Sequence, residues 1–357
     1  MNILIISWGE LEFDGRLREL VKSFSQLGEV FLFSGDRKPM IKHHTCLDKS
    51  NYWKYVLAAN KYGKHLKNID VVVIDNRKAI IPARIIKRRL KIKQMILDCR
   101  ETYFLEDVKH FSGKIGCLIE KPAILKADIV IAANLERAQI MQKRYQLKQM
   151  PVVFENIREL EYSEKFNEQV IRKKYENILN TDAHIILASS GCSFDRDTDV
   201  LVDDFAKVKH KCRLLLAGWN YKADEQAIRR IIEKNKSDNI FILGRVSQDE
   251  LKYLTQNCEV GIVNYCQKDI NYKYCASGKI FEFLFEGIPV VTTTNPPLAR
   301  MCKEGQIGIA DGKFADAIDD ILDNLEYYRD NVKRYAERKS VENNNKKLIE
   351  EIHKRLS

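Results

Sequence analysis

Tyr272-Lys273-Tyr274-Cys275-Ala276-Ser277-Gly278-Lys279-Ile280-Phe281-Glu282-Phe283-Leu284-Phe285-Glu286-Gly287-Ile288-Pro289-Val290-Val291 passes from loop to helix to strand in one short run. The reading predicts a helix opening near Gly278, with Ser277 and Gly278 as N-terminal cap residues. Gly287-Ile288-Pro289 stops it and starts the next strand. Ile280, Phe281, Phe283, Leu284 and Phe285 make this helix apolar on most sides, so it belongs in a core. Lys279, Glu282 and Glu286, at i, i+3 and i+7, form one polar stripe that must face water, a ligand or a cleft.

The same alternation runs outward in both directions. Strand-length runs rich in Val and Ile occur at Ile3–Ser7, Glu29–Phe33, Val71–Asp75, Met95–Cys99, Asp128–Ala133 and Val152–Glu155. A second set occurs at His184–Ala188, Arg213–Ala217, Ile240–Leu243, Val260–Asn264, Pro289–Thr293 and Gln306–Ala310. Most are separated by a segment long enough for a crossover helix, the pattern of βαβ units and a parallel sheet. The rhythm breaks once, in the polar, weakly periodic stretch from about Arg158 to Asp182. The expected fold class is therefore α/β, with two Rossmann-like doubly wound parallel-sheet domains facing across a cleft. The domains are placed at 1–160 and 161–335. The charged, helical 336–357 is expected to pack back on the first domain.

Composition agrees with this reading and excludes other classes. The chain has 357 residues, too many for one ordinary core. Hydrophobic residues make up 45% and charged residues 31%, as in a folded globular protein. No apolar run approaches the roughly 20 residues of a membrane span. Met1–Ser7 has no basic flank and reads as a buried strand rather than a leader, so the expected compartment is the cytoplasm. The nine cysteines are scattered without a C-x-x-C pair, which argues against a disulfide framework or a zinc site. Cys99, Cys212 and Cys258 lie in or beside apolar runs and are expected to be buried. The net charge of +10 implies an anionic partner.

The polar stripe has a chemistry that fits such a partner. A helix N-terminus carrying a lysine, set at the carboxyl end of a sheet strand, suits a diphosphate. A carboxylate one turn later would accept hydrogen bonds from a ribose.

Here the sequence resembles the GT-B-fold retaining glycosyltransferases of the large group 1 (family 4) class, whose donor-site helix follows a P-x-K-x-x-E-x-x-x-x-G-x-P-V-V type pattern. Lys279, Glu282, Gly287, Pro289, Val290 and Val291 match it, with Ser277 in place of the proline. The resemblance extends over the second half. Ser190-Gly191-Cys192-Ser193-Phe194-Asp195-Arg196-Asp197 looks like the loop that carries a phosphate-binding arginine. Leu215-Leu216-Ala217-Gly218 and Phe241-Ile242-Leu243-Gly244-Arg245-Val246 look like the strand ends near the donor base. Two departures stand out: no lysine follows Arg196, and Tyr274 stands where the class often has an acid eight residues before Glu282.

The resemblance implies a nucleotide-diphosphate sugar held in the second domain, with UDP the commonest base. The donor-binding residues would be Gly191, Arg196, Gly218, Arg245, Val246, Ser277, Gly278, Lys279, Ile280 and Glu282. Arg196 and Lys279 would stabilise charge on the leaving diphosphate, and Glu282 would hold the ribose. The first half matches more loosely, through Asp14-Gly15-Arg16, Leu97-Asp98-Cys99-Arg100-Glu101, Lys126-Ala127-Asp128-Ile129-Val130-Ile131 and Glu155-Asn156. Gly9, Asp14, Gly15, Arg16, Asp98, Arg100 and Glu101 would then line the acceptor side, with Gly9 and Gly15 permitting close approach. The acceptor would be a glycan or lipid-linked saccharide of bacterial-type surface polysaccharide or glycoconjugate assembly.

No cofactor and no metal are implied. Asp195-Arg196-Asp197 and Asp197-Thr198-Asp199 match a D-x-D metal motif only as short matches in an acidic loop. The basic run Arg84-Ile85-Ile86-Lys87-Arg88-Arg89-Leu90-Lys91-Ile92-Lys93 has two readings. It is a solvated helix face with Ile85, Ile86 and Leu90 turned inward, or a contact for an anionic membrane on the inner face of the cell. His43-His44 is expected in a solvated loop, and His110 after the fourth strand near the cleft.

Three other functions compete. A sugar-nucleotide epimerase or hydrolase on the same fold needs an acid–base set that is not evident. An oxidoreductase needs a G-x-G-x-x-G after the first strand, where Trp8-Gly9-Glu10-Leu11-Glu12-Phe13-Asp14-Gly15 stands instead. A basic nucleic-acid-binding protein is allowed by charge, but no recognition motif appears and no aromatics interleave with the basic run, so no nucleic-acid partner is expected.

Overall fold

The computed structural model describes residues 1–356 and divides into two compact units, each with its own parallel sheet. Unit 1 is Met1–Asn156 together with the last stretch from Glu342; unit 2 is Ile157–Val341.

Unit 1 contains strands β1 (Asn2–Ser7), β2 (Glu29–Ser34), β3 (His44–Cys46), β4 (Val71–Asp75), β5 (Gln94–Cys99), β6 (Ile129–Ala132) and β7 (Val152–Val153). They form one sheet in the order β3-β2-β1-β4-β5-β6-β7, every pairing parallel. Strands buried on both faces need apolar side chains throughout, which is why they read as continuous runs rather than alternating ones. Along β1, Leu4 and Ile6 enter one core, while Ile3 and Ile5 enter the core on the other face. The C-terminal helix Val341–Leu356 sets Leu348 and Ile352 into that second core. Its Asn344 Nδ2 donates to the Glu155 carbonyl over 3.1 Å, and its Asn345 donates to Glu19 over 2.6 Å.

Two expectations for unit 1 are corrected. His44 is not in a solvated loop. It lies on β3, buried, with its ring against Ser34 Oγ at 2.6 Å and Asp36 at 3.5 Å. A three-residue strand is too short to show a period, so only its partner β2 was legible. Ile85 does not turn inward with Ile86: Ile86 is in the core, but Ile85 is exposed.

Unit 2 contains β8 (His184–Ala188), β9 (Cys212–Ala217), β10 (Ile240–Gly244), β11 (Val260–Val263), β12 (Val290–Thr292) and β13 (Gly308–Ala310). Their order is β10-β9-β8-β11-β12-β13, again wholly parallel. The stretch after Arg158 is more ordered than its weak periodicity suggests. It holds the helix Glu168–Leu179, capped by Asn167 and anchored by Ile171 and Tyr175.

In each unit the strand order reverses beside the first strand, between β1 and β4 and between β8 and β11. Successive crossovers leave in opposite directions at such a point. This opens a crevice at the carboxyl ends of the two strands, where α/β sheets bind ligands.

Candidate nucleotide-sugar site

In unit 2 the crevice is walled by Ser189-Ser190-Gly191 after β8 and Asn264-Tyr265 after β11. The short helix Lys279–Phe285 stands beside it and buries Ile280, Phe281, Phe283 and Leu284. Its start is not capped as expected: Gly278 is helical, and no side chain makes a capping hydrogen bond. Its end follows expectation, with Gly287 at φ +75°, a left-handed position that disfavours side chains.

The polar groups of this stripe pair with other elements rather than with one another. Lys279 Nζ donates to the Ser189 carbonyl and lies 3.5 Å from Ser189 Oγ. Glu282, 3% exposed, accepts an ion pair from Arg158. Glu286 pairs with Lys252 at 2.6 Å and with Gln256 at 2.9 Å. Burial lowers the Lys279 ammonium to a pKa of about 8; Glu282 opposes the shift, while Arg158 and Arg196 reinforce it. The Lys279 ammonium therefore feels two other cations and one buried carboxylate, an arrangement with a surplus of positive charge.

Arg196 sits at the end of the 3-10 turn Phe194–Arg196, its guanidinium 3.8 Å from the Tyr265 ring centroid and 5.9 Å from that of Tyr272. Its Nη1 is buried without a hydrogen-bond partner. Ser190 Oγ and both ends of the Asn264 amide, at the same strand ends, are also buried and unpartnered. Buried polar groups are almost always satisfied, so orphans gathered at a sheet switch point mark a place built for a polar guest.

Gly191 and Gly218 make the loop geometry possible. Gly191 has φ +69°, and a Cβ there would lie 2.2 Å from the Trp219 carbonyl oxygen. Gly218 has φ +132°, and its Cβ would lie 2.8 Å from Gly191 N. The two loops touch backbone to backbone, which only glycine allows. Arg245 and Val246 follow β10; Arg245 is exposed, and Val246 packs on the core. Ile280 is wholly buried, so its side chain belongs to the core rather than to a ligand.

Of the D-x-D positions, Asp195 is engaged by the unit's own groups. Asp195 binds Lys268 and accepts from the Tyr272 hydroxyl at 2.9 Å. Among the described residues no group of three His, Cys, Asp or Glu side chains is poised to hold a metal ion.

The candidate acceptor residues of unit 1 form a buried charge network at its own switch point. Arg16 grips Asp98 with two hydrogen bonds of 2.8 and 2.7 Å. Its remaining nitrogen donates to the Phe154 carbonyl at 2.6 Å and to Asn156 Oδ1 at 2.8 Å. Arg100 bridges Asp75 and Asp14, with 2.8 Å from Nη2 to Asp75 Oδ2. Burial pushes the Asp75 carboxyl up, against the opposing pull of Arg100. Asp14 also caps the helix Gly15–Phe24 through Leu17 N at 3.0 Å. Arg16 and Asp98 are thus spent on each other, tying β5 to the first helix and the end of β7. A Cβ on Gly9 would meet Asp14 Oδ2 at 2.9 Å, so the network fills that space, while at Gly15 only Arg18 comes within reach. Glu101 is exposed, and His110 is exposed at the start of the helix Phe111–Ile124.

Sequence reasoning missed Arg158, Ser189, Asn264 and Tyr265. The last three had a usable signal, since each directly follows an apolar strand run in a parallel sheet. Arg158 had none, because it lies far from Glu282 in sequence.

The family model described as "Glycosyl transferases group 1" matches residues 184–324, which cover most of unit 2. Comparison with curated protein sequences gives no significant match. Solved structures share the fold along the chain at low identity. Sucrose-phosphate synthase from Thermosynechococcus elongatus has a TM-score of 0.73 at 16% identity, over 100% of this chain and 99% of that one. HepE from Anabaena, in complex with UDP and glucose, has 0.73 at 13%, over 99% and 100%. WaaG, a glycosyltransferase involved in lipopolysaccharide biosynthesis, has 0.69 at 15%, over 98% and 99%. With two parallel-sheet α/β units, the chain shares the GT-B fold of these structures, and residues 184–324 of its second unit match the group 1 glycosyltransferases.

Proposed function

We propose that the protein transfers a sugar, with retention, from a UDP-sugar to a saccharide or lipid-linked saccharide acceptor in surface polysaccharide or glycoconjugate assembly. The observation that carries the donor half is the cation cluster of unit 2, where the buried Nη1 of Arg196 has no partner and the Lys279 ammonium is held at the end of β8. A diphosphate satisfies both and supplies the missing negative charge. UDP is favoured over other bases because HepE, which shares the fold, was solved with UDP and glucose. WaaG, named for lipopolysaccharide biosynthesis, supports the acceptor class.

In this reading the bond from the sugar C1 to the diphosphate breaks as a bond from C1 to an acceptor oxygen forms on the same face. The acceptor proton passes to an oxygen of the departing diphosphate. Arg196 and Lys279 stabilise the charge that grows on that group, the largest contribution a preorganised site makes. Glu282 accepts the ribose hydroxyls, which frees its ion-pair partner Arg158 toward the phosphates. Ser277, Gly278 and the main chain of Ile280 flank the lysine and complete the donor pocket, with Gly191, Gly218, Arg245 and Val246 on the other loops. Gly9, Asp14, Gly15, Arg100 and Glu101 remain the candidates for the acceptor, on a frame set by Arg16 and Asp98. The basic helix Ile80–Leu90 would bring the enzyme to an anionic membrane surface on the inner face of the cell.

Titration calorimetry with UDP, GDP and UDP-sugars tests this directly. Micromolar UDP binding that Lys279→Ala and Glu282→Ala each weaken by about tenfold or more, with folding intact, is the expected result. Equal binding by the variants would overturn the site.

A further inference from the structure

The helix Phe111–Ile124 has an unpartnered apolar face. Phe111, Ile115 and Leu118 are 79%, 42% and 60% exposed, and Leu125 just beyond is 52% exposed. With the half-buried Pro122 they fall at i, i+4, i+7, i+11 and i+14, one continuous stripe along the helix. An exposed stripe of large side chains costs solubility and marks a surface that something covers.

The charge on this helix and the helix Ile80–Leu90 is one-sided, and the acids beside the start of the stripe, Glu106 and Asp107, pair with Arg144. Residues 80–93 and 111–126 contain nine Lys and Arg (Arg84, Lys87, Arg88, Arg89, Lys91, Lys93, Lys114, Lys121, Lys126) against one acid, Glu120. That acid is buried and paired with Arg77 at 2.6 Å, so it offers nothing to the surface.

The two helices meet at a cavity of about 380 Å³. Its apolar floor includes Met95, Pro122 and Ala123, and its rim carries Arg84, Arg88, Lys91 and Lys126. Lys87 is already spent on the Ile92 and Lys93 carbonyls, at 2.5 and 2.7 Å. The rim cations are exposed, and no acid lines the cavity. Pro122 belongs both to the stripe and to the cavity floor, so the two features are continuous.

We infer that this surface docks unit 1 on an anionic phospholipid bilayer. The cavity seats a phosphate headgroup with its first methylenes against the apolar floor, and the stripe of Phe111, Ile115, Leu118 and Leu125 enters the acyl region. An apolar stripe bordered by cations is the pattern of an interfacial helix, whose affinity adds buried apolar area to attraction for anionic lipid. Nucleic acid would use the cations but leave the stripe uncovered. The inference extends the membrane contact proposed above from charge attraction to insertion, and it does not depend on the donor site.

The test is co-sedimentation of the full chain with phosphatidylglycerol-containing vesicles and with pure phosphatidylcholine vesicles. Wild type is expected to partition at least tenfold more strongly onto the anionic vesicles, and less at high salt. The combined R84Q/R88Q/K91Q/K126Q variant should lose that preference while its circular dichroism and UDP binding are retained. Phe111→Ser with Leu118→Ser, both at exposed sites, should weaken binding at constant charge. Leu118→Trp should be quenched by brominated acyl chains. Binding equal on both vesicle types, a charge variant that sediments as wild type, or an unquenched Trp on bound protein would each overturn the inference. So would soluble polyphosphate binding that matches vesicle binding and is unaffected by the Ser substitutions. UDP binding reports the donor site separately, so failure of one reading is not failure of the other.

Discussion

Lys279, on the short helix of unit 2, donates to the main-chain carbonyl of Ser189 just beyond β8, so the protein's own backbone fixes a cation at the sheet's switch point. The carbonyl is a neutral acceptor, and a phosphate is a better one. The ammonium has only to tilt from one to the other. Replacing Lys279 or Arg196 by Ala should each weaken UDP binding by about ten- to a hundredfold, the worth of a charge-assisted hydrogen bond of about 1.5–3 kcal/mol. Calorimetric titration of folded variants checks this.

The pH dependence follows from the same lysine. Its pKa is lowered to about 8 by burial, with Arg158 and Arg196 adding to the shift. An anionic ligand prefers the charged ammonium, so affinity is full below about 8 and falls as pH rises through it. Bound diphosphate raises the pKa, so binding takes up a proton on the alkaline side. Arg158→Gln removes a cation that depresses Lys279 and leaves Glu282 to pair with the lysine instead. Both effects move the alkaline limb upward. A UDP affinity profile from pH 6.5 to 10, in wild type and this variant, would expose the shift; coincident profiles would refute it.

Tyr265 carries Arg196 on its ring face at 3.8 Å. Tyr265→Leu keeps the bulk and removes the quadrupole, a loss of about 0.5–2 kcal/mol. UDP affinity should fall by less than with Arg196→Ala, and the double variant should be no worse than Arg196→Ala alone. A double-mutant cycle on UDP binding measures the coupling.

Asp98 is wholly buried and held by two nitrogens of Arg16. Asp98→Ala leaves that buried guanidinium without its counter-charge, with only the Phe154 carbonyl and Asn156 Oδ1 as partners, and should cost about 3–5 kcal/mol of stability, the usual result of breaking a buried ion pair from one side. Denaturant unfolding of the variant reads this, with UDP binding by the folded fraction unchanged, since the donor groups lie in the other unit.

The sequence was explicit where burial is two-sided or chemistry is local. A strand covered on both faces must be apolar throughout, so all but one of the strands were visible as runs; β3, at three residues and on the sheet edge, was not. Lys279, Glu282 and Gly287 were legible because one helix sets their spacing. Its amino acids determined that the helix is buried and that its polar groups lie in one stripe. What they pair with was decided only by the tertiary fold. Arg158 reaches Glu282, and Ser189 reaches Lys279, because the sheet order places distant strand ends side by side. The assignment of Arg16 and Asp98 to each other, and the facing of Ile85 outward, were likewise fixed by packing. Charge and periodicity name the candidates for contact, but the direction of each side chain is set by which helix lies against which face. That is a long-range property of the chain, which no window of residues contains.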